Sequence, residues 1–142
     1  MAVVWGRKAS GKDGPMTEDE VIDCLYANSR WRRSDAITKG FRNAANYMFA
    51  HNGQGGGTKY HFDGKIVRHT TENHGEVTIF FTSDGNVASI VGIGEHSGGS
   101  KATATYTLVW HSARWRPNVI KSVKQEDGST EQQAFPINQI SL

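Results

Sequence analysis

The feature that most constrains this chain is a change of hydrophobic period at Gly53-Gln-Gly-Gly-Gly57. Before that joint, apolar residues recur every third or fourth position. After it they alternate with polar ones. The first pattern buries one face of a helix and the second one face of a strand. Neither segment can take the other conformation without turning its apolar set toward water. Helices must therefore come first and sheet second.

Thr17-Glu18-Asp19-Glu20 has the spacing of a capping box. The Thr hydroxyl accepts from the amide three residues on, and the Glu carboxylate reaches back to the Thr amide. Val21, Ile22, Leu25 and Tyr26 supply an apolar stripe, so a first helix is expected over 17–28. Ser34 or Asp35 caps a second helix. Its stripe is Ile37, Phe41, Ala44, Ala45, Met48 and Phe49, and Asn52-Gly53 ends it. Upstream, Ala2–Trp5 reads as an edge strand. Gly6, Gly11, Gly14 and Pro15 then mark a flexible segment over 1–16.

Beyond the glycine joint, Asp63-Gly64 and Asp84-Gly85 each stand between two alternating runs, a strong hairpin signal. Thr103–His111 alternates, with Ala104, Tyr106, Leu108 and Trp110 on one face. Asn118–Lys124 reads as another strand before Asp127-Gly128, and Ala134–Leu142 as a last strand or ordered tail. The expected architecture is a single α+β domain spanning 1–142. Two N-terminal helices (17–51) pack on one face of a twisted antiparallel sheet of about four to six strands (59–142). The helix-2 stripe should meet Ile79, Phe81, Ile90 or Leu108.

No apolar run approaches the roughly 18 residues of a membrane span. The start, Met1–Lys8, lacks the long apolar stretch of a secretory signal. A cytoplasmic protein with no membrane partner is expected, and delivery as an effector is compatible with that. The lone Cys24 rules out an internal disulfide and a cysteine-based zinc site.

The net charge of +2 hides an asymmetry. Between residues 30 and 70, Arg30, Arg32, Arg33, Lys39, Arg42, Lys59, Lys65 and Arg68 face only Asp35 and Asp63. A focused positive surface attracts polyanions through phosphate contact and counterion release. Arg30, Arg32, Arg33, Lys39, Arg42, Lys65 and Arg68 are the candidate nucleic-acid contacts. Trp31 within Ser29–Arg33 and Trp115 within Arg114–Arg116 place an indole between guanidinium groups, an arrangement suited to stacking on unpaired bases. A solvated basic helix face is the plainer account.

Several familiar signatures fail. Gly92-Ile-Gly94-Glu-His-Ser97 lacks the third glycine of a dinucleotide fingerprint and leads into a strand. Gly53–Lys59 follows a helix and reverses the Lys-then-Ser/Thr order of a phosphate loop. No Gly-x-Ser-x-Gly elbow is present. The histidines form two clusters, His69 and His74 about one predicted turn and His96, beside Glu95, just before another. Lys101 follows. Cleavage of RNA at a 2′-hydroxyl needs a base, an acid and a cation beside the phosphorane. Glu95, His96 and Lys101 would supply these, with His69 or His74 reaching them across the sheet. A metal site is the competing use, with His61 and Asp63 on one strand face and His69 or His74 completing the set.

Asn86–His96, ending Gly92-Ile-Gly94-Glu-His96, resembles the late strand of RelE-like toxins, and Gly55–His61 the glycine-rich lead to a histidine in bacterial EndoU domains. With the layout of helices and sheet, the chain resembles the small ribonuclease toxins of the barnase, EndoU, colicin and RelE group. It is longer and less basic than RelE-like toxins. The resemblance implies a metal-independent ribonuclease without cofactor, RNA as partner and a cognate inhibitor protein. It assigns the base to His96 or Glu95 and phosphate neutralisation to Lys101. The alternative is a non-catalytic module binding RNA or protein, including an immunity-type or phage accessory protein.

Overall fold

The computed structural model describes residues 3–51, 56–71, 77–96, 105–112, 118–136 and 139–141. Two strands open the chain, β1 (Val3–Arg7) and β2 (Asp13–Met16). Helices α1 (Glu18–Ala27) and α2 (Asp35–His51) follow. Then come β3 (Gly56–Phe62), β4 (Lys65–Thr71), β5 (Val77–Asp84), β6 (Val87–His96), β7 (Thr105–His111), β8 (Asn118–Lys124), β9 (Thr130–Pro136) and β10 (Gln139–Ser141). The fold is α+β, as the change of period requires. Among the described residues no helix is long and apolar enough to cross a membrane.

Both helices start where their caps dictate. Thr17 Oγ1 accepts from the Glu20 amide at 3.1 Å, and Glu20 Oε1 accepts from the Thr17 amide at 3.0 Å. That backbone hydrogen bond, with the Lys8 ammonium at 3.2 Å, holds the Glu20 carboxyl below its ordinary value. Ser34 caps α2, its hydroxyl accepting from the Ile37 amide at 3.2 Å. The helices meet through Tyr26, whose ring stands edge-on to Phe41 at 4.7 Å. Its hydroxyl shares a 2.6 Å hydrogen bond with Thr38.

The α2 stripe packs as its spacing requires. Phe41, Ala45 and Met48 are fully buried in one cluster with Ile79, Phe81, Ile90 and Ile93, and Phe49 packs at its edge. Leu108 is buried but lies outside that cluster, whereas Trp110 packs against it. A bulge explains the separation. Ile93 pairs with Trp110 and Gly94 with Leu108, so Val109 is an extra residue and strict alternation along β7 is broken.

Among the described residues the main sheet has eight strands, more than the four to six expected. The path β10-β7-β6-β5-β4-β3 is antiparallel throughout. The surplus comes from the N-terminal segment. Instead of a flexible segment, 3–16 forms a hairpin whose β1 adds to β6 in parallel. Turn residues there close a tight loop, with Gly11 at φ 91° and its amide donating to Lys8 O at 2.8 Å. Gly6 is needed for another reason. A Cβ there would stand 2.9 Å from Met16 Sδ and 3.2 Å from Ile90 Cβ.

The Asp63-Gly64 turn has positive φ at both residues, 51° and 76°, which matches strand twist in a two-residue hairpin. β8 and β9 form a separate two-stranded sheet, closed by Gly128 at φ 86°. There the Asp127 carboxylate accepts from the Ser129 amide and hydroxyl, which keeps its pKa low.

Phe41→Ala should destabilise the protein by about 3–5 kcal/mol through lost transfer energy and a residual cavity. Thr17→Ala should cost about 1 kcal/mol. Denaturant midpoints check the order. Glu20 has a depressed folded-state pKa, so its contribution is present above the ordinary value of 4.5 and lost as pH falls through the folded-state value. The midpoint difference between wild type and Glu20→Ala should therefore shrink on acidification.

Candidate functional site

Glu95 and the basic loop after α1 are brought together by the fold. Glu95 is the next-to-last residue of β6, two positions beyond the buried Ile93 and so on the helix face of the sheet. Its Oε1 accepts a 3.1 Å hydrogen bond from the backbone amide of Arg30, 65 positions away in sequence. The segment Arg30–Arg33 is thereby tied to the end of the sheet. His96 closes β6 there, in register with Tyr106. Lys101 and His74 lie outside the described residues.

His69 does not join this arrangement. It sits in the middle of β4, two strands from β6, paired with Phe80 and Gly56. Its ring tilts against Phe80 with centroids 6.4 Å apart. Phe80 is fully buried but outside the helix-side cluster, so His69 lies on the opposite face from Glu95. The expected reach across the sheet fails because strand alternation sends the two side chains to different sides. Among the described residues, no three His, Cys, Asp or Glu side chains come together to hold a metal. The single thiol, Cys24, is buried. Burial pushes its pKa up, and Sγ donates to Arg7 O at 3.3 Å, which is structural use.

The candidate nucleic-acid contacts divide into two sets. Arg42 pairs with Glu18 and, at 3.2 Å, with Asp19, and those carboxylates raise its pKa further. Arg33 pairs with Asp23 at 2.7 Å and lies over the Tyr26 ring at 4.5 Å. Lys65 faces Asp84 at 3.7 Å, and Arg68 sits half-buried on β4. The acidic first turn of α1 thus neutralises part of the positive charge read along the sequence. Arg30, Arg32 and Lys39 stay exposed with no ion-pair partner among the described residues, and the Arg30 guanidinium lies 5.7 Å from the Trp31 ring. Trp31 itself is half-buried against the core.

Trp5 is the feature that sequence reasoning misses. The sequence marks it only as part of an edge strand, yet it points away from the helices and lines a cleft of about 420 Å³. None of Arg30, Arg32, Arg33 and Lys39 lines that cleft, which makes it a distinct site. The available signal is the strand's own alternation, with Val4 inward and Trp5 outward.

No protein-family model, no curated protein and no solved structure matches this chain.

Glu95→Ala should release the Arg30 amide. The expected results are faster amide hydrogen exchange at Arg30 and a stability loss of about 1–2 kcal/mol. Arg42→Glu should lower the denaturant midpoint by setting like charges against Glu18 and Asp19. Arg32→Glu should leave the midpoint nearly unchanged.

Proposed function

We propose that this chain is an RNA-directed protein whose RNA surface lies where the Arg30–Arg33 loop meets the His96 end of β6. The observation that carries the reading is the hydrogen bond from the Arg30 amide to Glu95. It couples a basic loop to a strand end bearing a histidine. Exposed Arg30, Arg32 and Lys39 would contact phosphates.

In the leading form the protein cleaves RNA without a metal. His96 takes the proton of a 2′-hydroxyl, and the oxygen attacks the adjacent phosphorus. The P–O5′ bond breaks and the departing oxygen takes a proton from a general acid. The products are a 2′,3′-cyclic phosphate and a 5′-hydroxyl. Lys101 would neutralise the phosphorane, the role implied by the resemblance to ribonuclease toxins. A cognate inhibitor protein would then mask this surface.

A specific observation favours a second reading, a non-catalytic RNA-binding module. Glu95 already accepts from a backbone amide, so it positions the loop and is a poor choice of base.

Incubation with total RNA in EDTA, followed by electrophoresis, separates the two. Cleavage that survives chelation and falls about 100-fold in His96→Ala supports the enzyme. Retardation without cleavage supports the module. Either way, Arg32→Glu with Lys39→Glu should flatten log affinity against log salt by about 0.7 for each phosphate that is no longer neutralised. Absence of both cleavage and retardation would overturn the proposal.

A further inference from the structure

The cleft that Trp5 lines is a second site, and its chemistry differs from that of the basic loop. β6 has two partners on one edge. β1 pairs with it over Val87–Ser89 and β7 over Gly92–His96. Val91 is an extra residue between the two stretches, and its carbonyl accepts from the Ser112 amide at 2.7 Å. The two partner strands part at this bulge, and the cleft of about 420 Å³ opens beside it. That volume falls within the range of small-molecule sites.

Three cross-strand neighbours, Trp5, Ser89 and Thr82, follow each other across β1, β6 and β5 and line the cleft, together with Trp110. Trp5 is 46 % exposed, although Val4 and Gly6 on either side of it are buried. Ser89 and Pro15, the cross-strand neighbours of Trp5, are too small to cover an indole, which leaves part of the Trp5 side chain exposed beside the hydroxyl-bearing Ser89 and Thr82. Phe62 also lines the cleft. The rim carries Arg7 and Lys65 against Asp13, Asp63 and Asp84, with Lys65 and Asp84 facing each other at 3.7 Å.

From this lining we infer that the cleft binds a neutral saccharide. Three carboxylates against two cations give no net attraction for a polyanion, so a phosphate-rich ligand is disfavoured. The rim nevertheless offers both acceptors and donors. A hydroxyl both donates and accepts, so a polyhydroxylated ring satisfies carboxylate, guanidinium and Ser or Thr together. The apolar C–H face of a pyranose fits an open indole, whose π face is the negative side of its quadrupole. Trp5 sets the ring plane. Asp84 and Ser89 take its hydroxyls, and the Lys65 ammonium holds the Asp84 carboxylate in place.

The test is titration of the full chain with maltose, cellobiose and N,N′-diacetylchitobiose, with adenosine and AMP as further arms. Trp fluorescence and amide chemical shifts at Ser89 and Thr82 report binding. One disaccharide should bind saturably and shift those amides. Trp5→Ala should weaken it about tenfold or more, Trp5→Phe should retain part of the affinity, and Asp84→Asn should weaken it without removing the stacking. Trp5 is exposed, so thermal melts of Trp5→Ala should stay near wild type. Should that variant unfold, Asp84→Asn and the amide shifts still decide. No binding of any of the three sugars, binding unaltered by the substitutions, or tighter binding of adenosine or AMP would overturn the assignment. RNA retardation by Trp5→Ala should equal that of wild type, so failure here is distinguishable from failure of the RNA reading.

Discussion

Burial of Phe41, Ala45 and Met48 against Ile79, Phe81, Ile90 and Ile93 is the contact on which the other elements rest. Neither partner is stable alone. An isolated helix the length of α2 is marginal in water, and a sheet with an open apolar face would aggregate. Together they define a helix side and an open side of the sheet. Tyr26 and Thr38 then bind α1 to α2, and the capping box sets where α1 begins. The open side is buried in its middle, where Phe80 is inaccessible, but not at its β1 end, where Trp5 is left uncovered.

β6 is the strand that joins the most elements. It pairs with β5 from Val87 to Glu95, interrupted at Val91, and accepts β1 and β7 on its other edge. Two strands cannot occupy one edge without a break between them, and the bulge at Val91 provides it. Its two ends consequently serve two surfaces. The Val87–Val91 end borders the cleft, and Glu95 at the other end anchors the basic loop on the helix face. The two proposed surfaces thus draw on opposite ends of one strand.

Charge is the property least legible from the order of residues. The positive excess between residues 30 and 70 is real as composition. In space, Glu18, Asp19 and Asp23 of α1 lie against Arg42 and Arg33, and Asp84 against Lys65. An acidic first turn suits a helix dipole, and the same carboxylates become ion-pair partners once α2 docks. A local count of charges along the chain cannot see a neutralisation made by tertiary contact. Glu95 illustrates the same point. As a strand-end carboxylate it resembles a base, and only docking of the loop reveals an acceptor for the Arg30 amide.

What the sequence by itself determined was local. The capping box at Thr17, the α2 stripe, the turns at Asp63-Gly64 and Asp84-Gly85 and the order of α1 and α2 before β3–β10 all follow from short-range geometry. A hydrogen bond three residues away, or a period of side chains, is encoded by neighbours. Tertiary structure decided which strand accepts the N-terminal hairpin, and that β1 runs parallel to β6. It also decided that His69 and Glu95 face opposite ways, and that Leu108 and Trp110 are separated by the bulge at Val109. Those outcomes depend on register between segments far apart in the chain. A one-residue shift in register inverts every side chain on a strand, so alternation alone cannot choose between the two faces.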